Sequence, residues 1–197
     1  YIKCLDLSKE ISEKRSIAVS YNNIAGMHLL LGNYDESLRN QKKAFSYAKR
    51  INYKEGEAGF AFNIATHLLR QKKYTLSLKY INISIQAFRD MENPYLIECY
   101  ILKTYIYVIK DDRKNMLECY EYIKEITYDN AYGHIRNWEL YKINLYLDNE
   151  DLRFLDNAYN RMVKDLEVIS SKKSKELFLK NFTYGELINN EFNRIEK

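Results

Sequence analysis

The sequence predicts an all-α fold, a solenoid of paired antiparallel helices, and three observations carry that expectation. The chain repeats itself: Tyr21-Asn22-Asn23-Ile24-Ala25 is echoed by Ala61-Phe62-Asn63-Ile64-Ala65, and Tyr34-x-x-Ser37-Leu38 by Tyr74-x-x-Ser77-Leu78, each after 40 residues. One spacing kept through two separate blocks means one supersecondary unit used again, and a period near 40 is that of a helical array. The punctuation of a β-rich fold is missing, with one proline, Pro94, and six glycines in 197 residues. Charged residues make up 29% of the chain and alternate with Leu and Ile, a composition that favours helices.

Apolar positions recurring at the helical period place the helices in pairs, each closed by a tight polar turn such as Gly32-Asn33 or Lys72-Lys73. The first pair is expected over Ser16 to Leu31 and Asp35 to Arg50, the second over Glu55 to Gln71 and Thr75 to Asp90. A third follows Pro94, whose fixed φ suits a first helical turn, and spans Tyr95 to Lys110 and Arg113 to Ile126. A fourth covers Ala131 to Leu147 and Asp151 to Ser170. The expected organisation is thus one domain over 1–197. It holds repeats at 16–53, 54–92, 93–128 and 129–170, with 1–15 the second helix of a preceding repeat. Residues 171–197 then form capping helices, from Ser174 to Phe182 and Tyr184 to Ile195, over the end of the stack.

The net charge of +4 comes from 31 basic and 27 acidic residues mixed along every helix, so no nucleic acid is expected as a partner of this stretch. Cys4, Cys99 and Cys119 are odd in number and widely spaced, which fits neither a disulfide framework nor a paired metal motif and points to a reducing, cytoplasmic setting. No apolar run approaches the roughly 18 to 20 residues that cross a bilayer, and Tyr1 begins a charged amphipathic segment, so no membrane is expected. Because it opens within a repeat, the chain is expected to be a piece of a longer protein.

Tyr21, Ile24, Ala25, Gly32, Tyr34, Leu38 and Ala44 follow a pattern of large residue, aliphatic-small pair, turn glycine, aromatic and small residue. That pattern resembles the signature of the tetratricopeptide repeat, whose usual length is about 34 residues. The spacing of 40 is similar to the long-repeat branch found in bacterial regulators and signalling proteins, and the resemblance implies a right-handed superhelix. In the third repeat Tyr100, Thr104, Tyr107, Leu117 and Tyr120 keep the register, with Arg113 replacing the aromatic; in the fourth Trp138, Tyr141, Leu145 and Leu155 fit it, while Lys142 stands where a small residue belongs.

Chemistry is sparse. No phosphate loop, nucleophile elbow, zinc-protease or dinucleotide motif occurs. His28 and His67 stand at nearly the same level of neighbouring repeats, but no third ligand can be assigned, so neither metal nor cofactor is expected. Asp111-Asp112 and Glu150-Asp151 fall in turns, where carboxylates cap the next helix. No enzyme is expected.

The resemblance places the functional surface on the concave groove lined by the first helix of each repeat. Its offsets give Asn22, Asn23 and Gly26 from the first repeat, and Phe62, Asn63, Thr66 and Arg70 from the second. From the third come Ile101 and Tyr105, and from the fourth Arg136, Glu139 and Ile143. Asparagine amides pair with an extended backbone, aromatic rings give rigid apolar contact, and arginine fixes a carboxylate, so the set suits a peptide or protein segment. The relatives that clamp a C-terminal carboxylate use basic residues where this chain has Asn22, Glu98 and Leu102, which excludes that ligand class. The expected function is a non-enzymatic scaffold, the C-terminal interaction or sensory part of a regulatory protein. A peptide-pheromone sensor of the same repeat class stands second, and an enzyme last.

Overall fold

A computed structural model of the chain describes residues 3, 6, 7, 13–124, 133–149, 151–181 and 184–195. The expected helix over 1–15 and the boundary near 128 lie outside the described residues, apart from isolated positions. Among those described, the fold is all-α, with helices packed one after the next and no strand. They are α1 (Lys14–Leu30), α2 (Tyr34–Arg50), α3 (Lys54–Arg70), α4 (Tyr74–Asp90), α5 (Leu96–Ile109), α6 (Arg113–Tyr120), α7 (His134–Tyr146), α8 (Arg153–Glu167), α9 (Lys172–Asn181) and α10 (Gly185–Ile195). The chain forms two compact units, Tyr1–Cys99 and Tyr100–Lys197.

In the first unit α1 packs on α2, α2 on α3 and α3 on α4. Small residues let the helices approach: Ala18, Ala44, Ala48, Ala25 and Ala65 are all fully buried, and Phe60 fills the space among the first three. The repeat seen in the sequence recurs as a bond. Ser37 Oγ donates to the Ala25 carbonyl at 2.7 Å, and 40 residues on Ser77 Oγ donates to the Ala65 carbonyl at 2.6 Å. Each bond pins the start of the second helix of a pair to the middle of the first. An alanine at 25 or 65 is needed because a larger side chain would hold the two backbones apart.

Four helices of 17 residues are joined by three-residue turns, all built alike. The backbone turns left-handed at Gly32 (φ 77), Asn52 (φ 55), Lys72 (φ 57) and Glu92 (φ 50), at 20-residue intervals. The next amide then reaches back to the helix: Asn33 to the His28 carbonyl at 2.8 Å, and Tyr53 to Ala48, Lys73 to Leu68 and Asn93 to Phe88 at 2.9 Å. This closure satisfies carbonyls at the helix end that would otherwise lack a partner. The 40-residue repeat is therefore two helix-plus-turn units of equal length. Glu92 carries a Cβ in a conformation that disfavours one, and its side chain is exposed. Glu92→Gly is expected to stabilise the fold by about 1 kcal/mol, the left-handed strain relieved outweighing the added chain entropy of glycine. An unchanged or lower urea midpoint would refute this.

Helix α5 starts at Leu96, later than Pro94 suggested. The Asn93 Oδ1 accepts from the Tyr95 amide at 3.0 Å and the Asn93 carbonyl from the Leu96 amide at 3.0 Å, so Pro94 lies in a side-chain-stabilised turn before the helix. In the second unit the Asp112 carboxylate caps α6 by accepting from the Asn115 amide at 3.2 Å, as the turn acids suggested. A bond from the Asn115 side chain at 2.8 Å, and after it the bond from the amide, hold Asp112 below the usual carboxylate range. Helix α6 ends at Tyr120, short of the expected Ile126, and turn residues follow to 124.

Further on, α7 packs on α8, α8 on α10 and α9 on α10. Phe154, Leu155, Ala158 and Met162 form the buried stripe of α8, and Tyr159 stacks on Phe192 of α10 with ring centroids 3.8 Å apart. At Gly185 a Cβ would come within 2.8 Å of the Leu179 carbonyl oxygen, so α10 can begin against α9 only on a glycine.

Candidate functional site

One stripe of α3 forms the wall of a cavity of about 280 Å³ in the first unit. Glu55, Gly59, Phe62 and Asn63 fall at helical spacing on one face, and Gly59 leaves open the space a side chain would fill. Phe88 from the end of α4, Tyr95 from the turn before α5 and Glu98 from its first turn complete the lining. Phe88 is buried and Tyr95 is 58% exposed; their rings pack with centroids 5.9 Å apart. The cavity thus joins three aromatic rings, an amide and two carboxylates, with no lysine, arginine or histidine in its lining. Neither Glu55 nor Glu98 has an ion-pair partner among the described residues.

Of the residues proposed for a groove, Phe62 and Asn63 line this cavity. Asn63 Nδ2 donates to Asn22 Oδ1 at 3.0 Å, linking α3 to α1, and Asn22 Nδ2 donates to Asn23 Oδ1 at 3.4 Å. The three amides form a half-buried row across two first helices, so Asn63 is a bridge between them as well as a lining residue. Thr66 is half-buried and turns its hydroxyl back to the Phe62 carbonyl at 3.2 Å. Arg70 lies over the Tyr34 ring at 4.8 Å and donates to the Tyr34 hydroxyl at 3.3 Å, so its guanidinium is held against its own fold rather than extended toward a ligand. His67 is buried beside them, with Nε2 3.2 Å from the Tyr34 carbonyl oxygen. Burial outweighs that bond and keeps its pKa below the ordinary histidine value.

In the second unit the groove assignments are corrected. Ile101 and Tyr105 are buried, at 0% and 7% exposure, because they stand 40 residues after Ala61 and Ala65, which are also buried. The positions one residue further on, Leu102 and Ile106, are also 0% exposed, so no shift of register by one turns this part of α5 outward. Arg136 and Glu139 are buried too, at 5% and 0%, as is Ile143. The carboxylate of Glu139 pairs with the guanidinium of Arg136 one turn earlier on α7, and Tyr184 Oη comes within 3.5 Å of its other oxygen. Tyr184 itself has φ 68 and packs edge-on to Tyr105, with ring centroids 5.8 Å apart. Although the residue as a whole is half-buried, its phenol is enclosed; burial first, then the Glu139 charge, pushes its pKa well above the ordinary value. This is a buried polar network, not an open surface.

Glu55, Gly59, Phe88 and Tyr95 were missed from the sequence, and Glu98 was noted only as an acid where related clamps carry a base. The stripe 55, 59, 62, 63 could have been found from helical spacing, whereas the contribution of α4 and α5 depends on how the helices stack. No group of three or more His, Cys, Asp or Glu residues among those described could hold a metal ion. No described helix is long and apolar enough to cross a membrane. Comparison with known proteins gives no match to a family model, a curated protein or a solved structure.

Proposed function

We propose that this chain is a non-enzymatic scaffold of the tetratricopeptide type, in which the face of α1 and α3 holds a peptide or protein segment for a larger regulatory or signalling protein. The observation that supports the reading is the cavity on α3, with Phe62 and Asn63 in its wall and the Asn22–Asn63 amide row running beside it. The 40-residue recurrence of the serine-to-alanine bond adds the geometry of a stacked helix-pair array. An extended segment laid along the face would meet amides able to pair with its backbone and aromatic rings able to cover an apolar side chain. A cavity of this size lies at the low end of small-ligand pockets and suits one side chain of a longer segment.

The test is selection of a displayed random-peptide library on the full chain. Enriched peptides are expected to lose about 1 to 3 kcal/mol of affinity on Phe62→Ala and none on Lys79→Ala, an exposed residue of α4 away from the cavity. Enriched peptides that bind the Phe62→Ala variant as tightly as the parent would move the binding surface elsewhere.

A further inference from the structure

We infer that the side chain received by this cavity is an arginine of the bound segment; the inference rests on the proposed binding role and specifies its chemistry. The chain as a whole is basic, at +4, yet this cavity is lined by two carboxylates and no cation. The local charge therefore opposes the global one, and a cationic group is the occupant that complements it. In the same unit Glu57 faces Lys54 at 3.4 Å and Glu36 pairs with Arg39 at 2.5 Å, while Asp35, Asp90 and Glu92 stand singly without an ion pair among the described residues; only at this cavity do two carboxylates without a cation line one space. Glu55 and Glu98 are left without such a partner among the described residues.

The aromatic residues select among cations. A cation over an aromatic face is attracted by the ring quadrupole, and the flat, weakly hydrated guanidinium both stacks on rings and presents paired donors to a carboxylate. Tyr95 is more than half exposed and lies beside the buried Phe88, so a ring face is open to such stacking next to Glu98. The unit uses this contact internally: Arg70 lies 4.8 Å from the Tyr34 ring centroid, Arg50 lies 4.3 Å from that of Tyr47, and Arg15 lies 5.2 Å from that of Tyr53. The Asn63 amide at the inner wall accepts or donates to the backbone that carries the arginine.

The probes are three capped tripeptides, Gly-X-Gly with X arginine, citrulline or glutamate, titrated into the isotopically labelled full chain and followed by amide shifts. Arginine is expected to move the amides of Gly59, Asn63 and Glu98 saturably. Citrulline, its neutral isostere, is expected to bind about tenfold more weakly, and Glu98→Gln to weaken the arginine peptide by a similar factor. If citrulline binds as well as arginine, or glutamate binds better, at the same amides, the arginine assignment falls while the binding site stands. Failure of all three tripeptides to move those amides, together with library peptides indifferent to Phe62→Ala, would overturn both.

Discussion

Removing one carboxylate, in Glu139→Ala, is expected to cost the second unit about 3 to 5 kcal/mol, because Arg136 would lose in the interior the carboxylate it pairs with. Glu139 has no exposed surface and Arg136 only 5%, so water cannot take over the lost interaction. The Tyr184 hydroxyl, within 3.5 Å of the same carboxylate, loses an acceptor at the same time. The single tryptophan, Trp138, is buried on the same helix, so its fluorescence reports this unfolding directly. Replacing both partners by apolar residues, Arg136→Met with Glu139→Leu, is expected to recover most of the loss, since no charge is then stranded. A loss below about 1 kcal/mol for Glu139→Ala would show that the pair is dispensable.

Ala65→Leu is expected to destabilise the first unit by about 1 to 3 kcal/mol through overpacking. Ala65 has no exposed surface, and its carbonyl is held at 2.6 Å by the Ser77 hydroxyl, so the added atoms have no room unless α3 and α4 separate. Separation would stretch that bond. Ala25→Leu should act alike, because Ala25 is equally buried and its carbonyl takes the Ser37 hydroxyl. Thermal unfolding followed by helical circular dichroism checks both; an unchanged melting temperature for either variant would show that these crossings can relax.

Much of the first unit was legible because its signal is local. The expected helices of the first two pairs end within two residues of α1 to α4, since apolar periodicity and polar turns depend only on neighbouring residues. The left-handed turns at Lys72 and Glu92 were not legible, for neither residue type favours that conformation. They adopt it because the chain must leave a packed helix end within a few residues, three between α3 and α4 and five between α4 and α5. The expectation failed at Ile101 and Tyr105, where Leu102 and Ile106 beside them are buried too, because this part of α5 is apolar on more than one face and is enclosed rather than lining a groove.

The sequence by itself determined the helical class, the pairing along the first 90 residues and the small residues at the crossings, because each follows from the identity of residues near one another in the chain. Tertiary structure decided which charges are solvent and which are core. Arg136 and Glu139 read as surface residues, and become interior only because α7 is enclosed and each supplies the other's counter-charge. It also decided the site, since Glu55 and Glu98 lie 43 positions apart and meet at one cavity only when the turn after α4 brings Glu98 beside α3. Burial and long-range juxtaposition depend on the packing of whole helices, which no local pattern encodes.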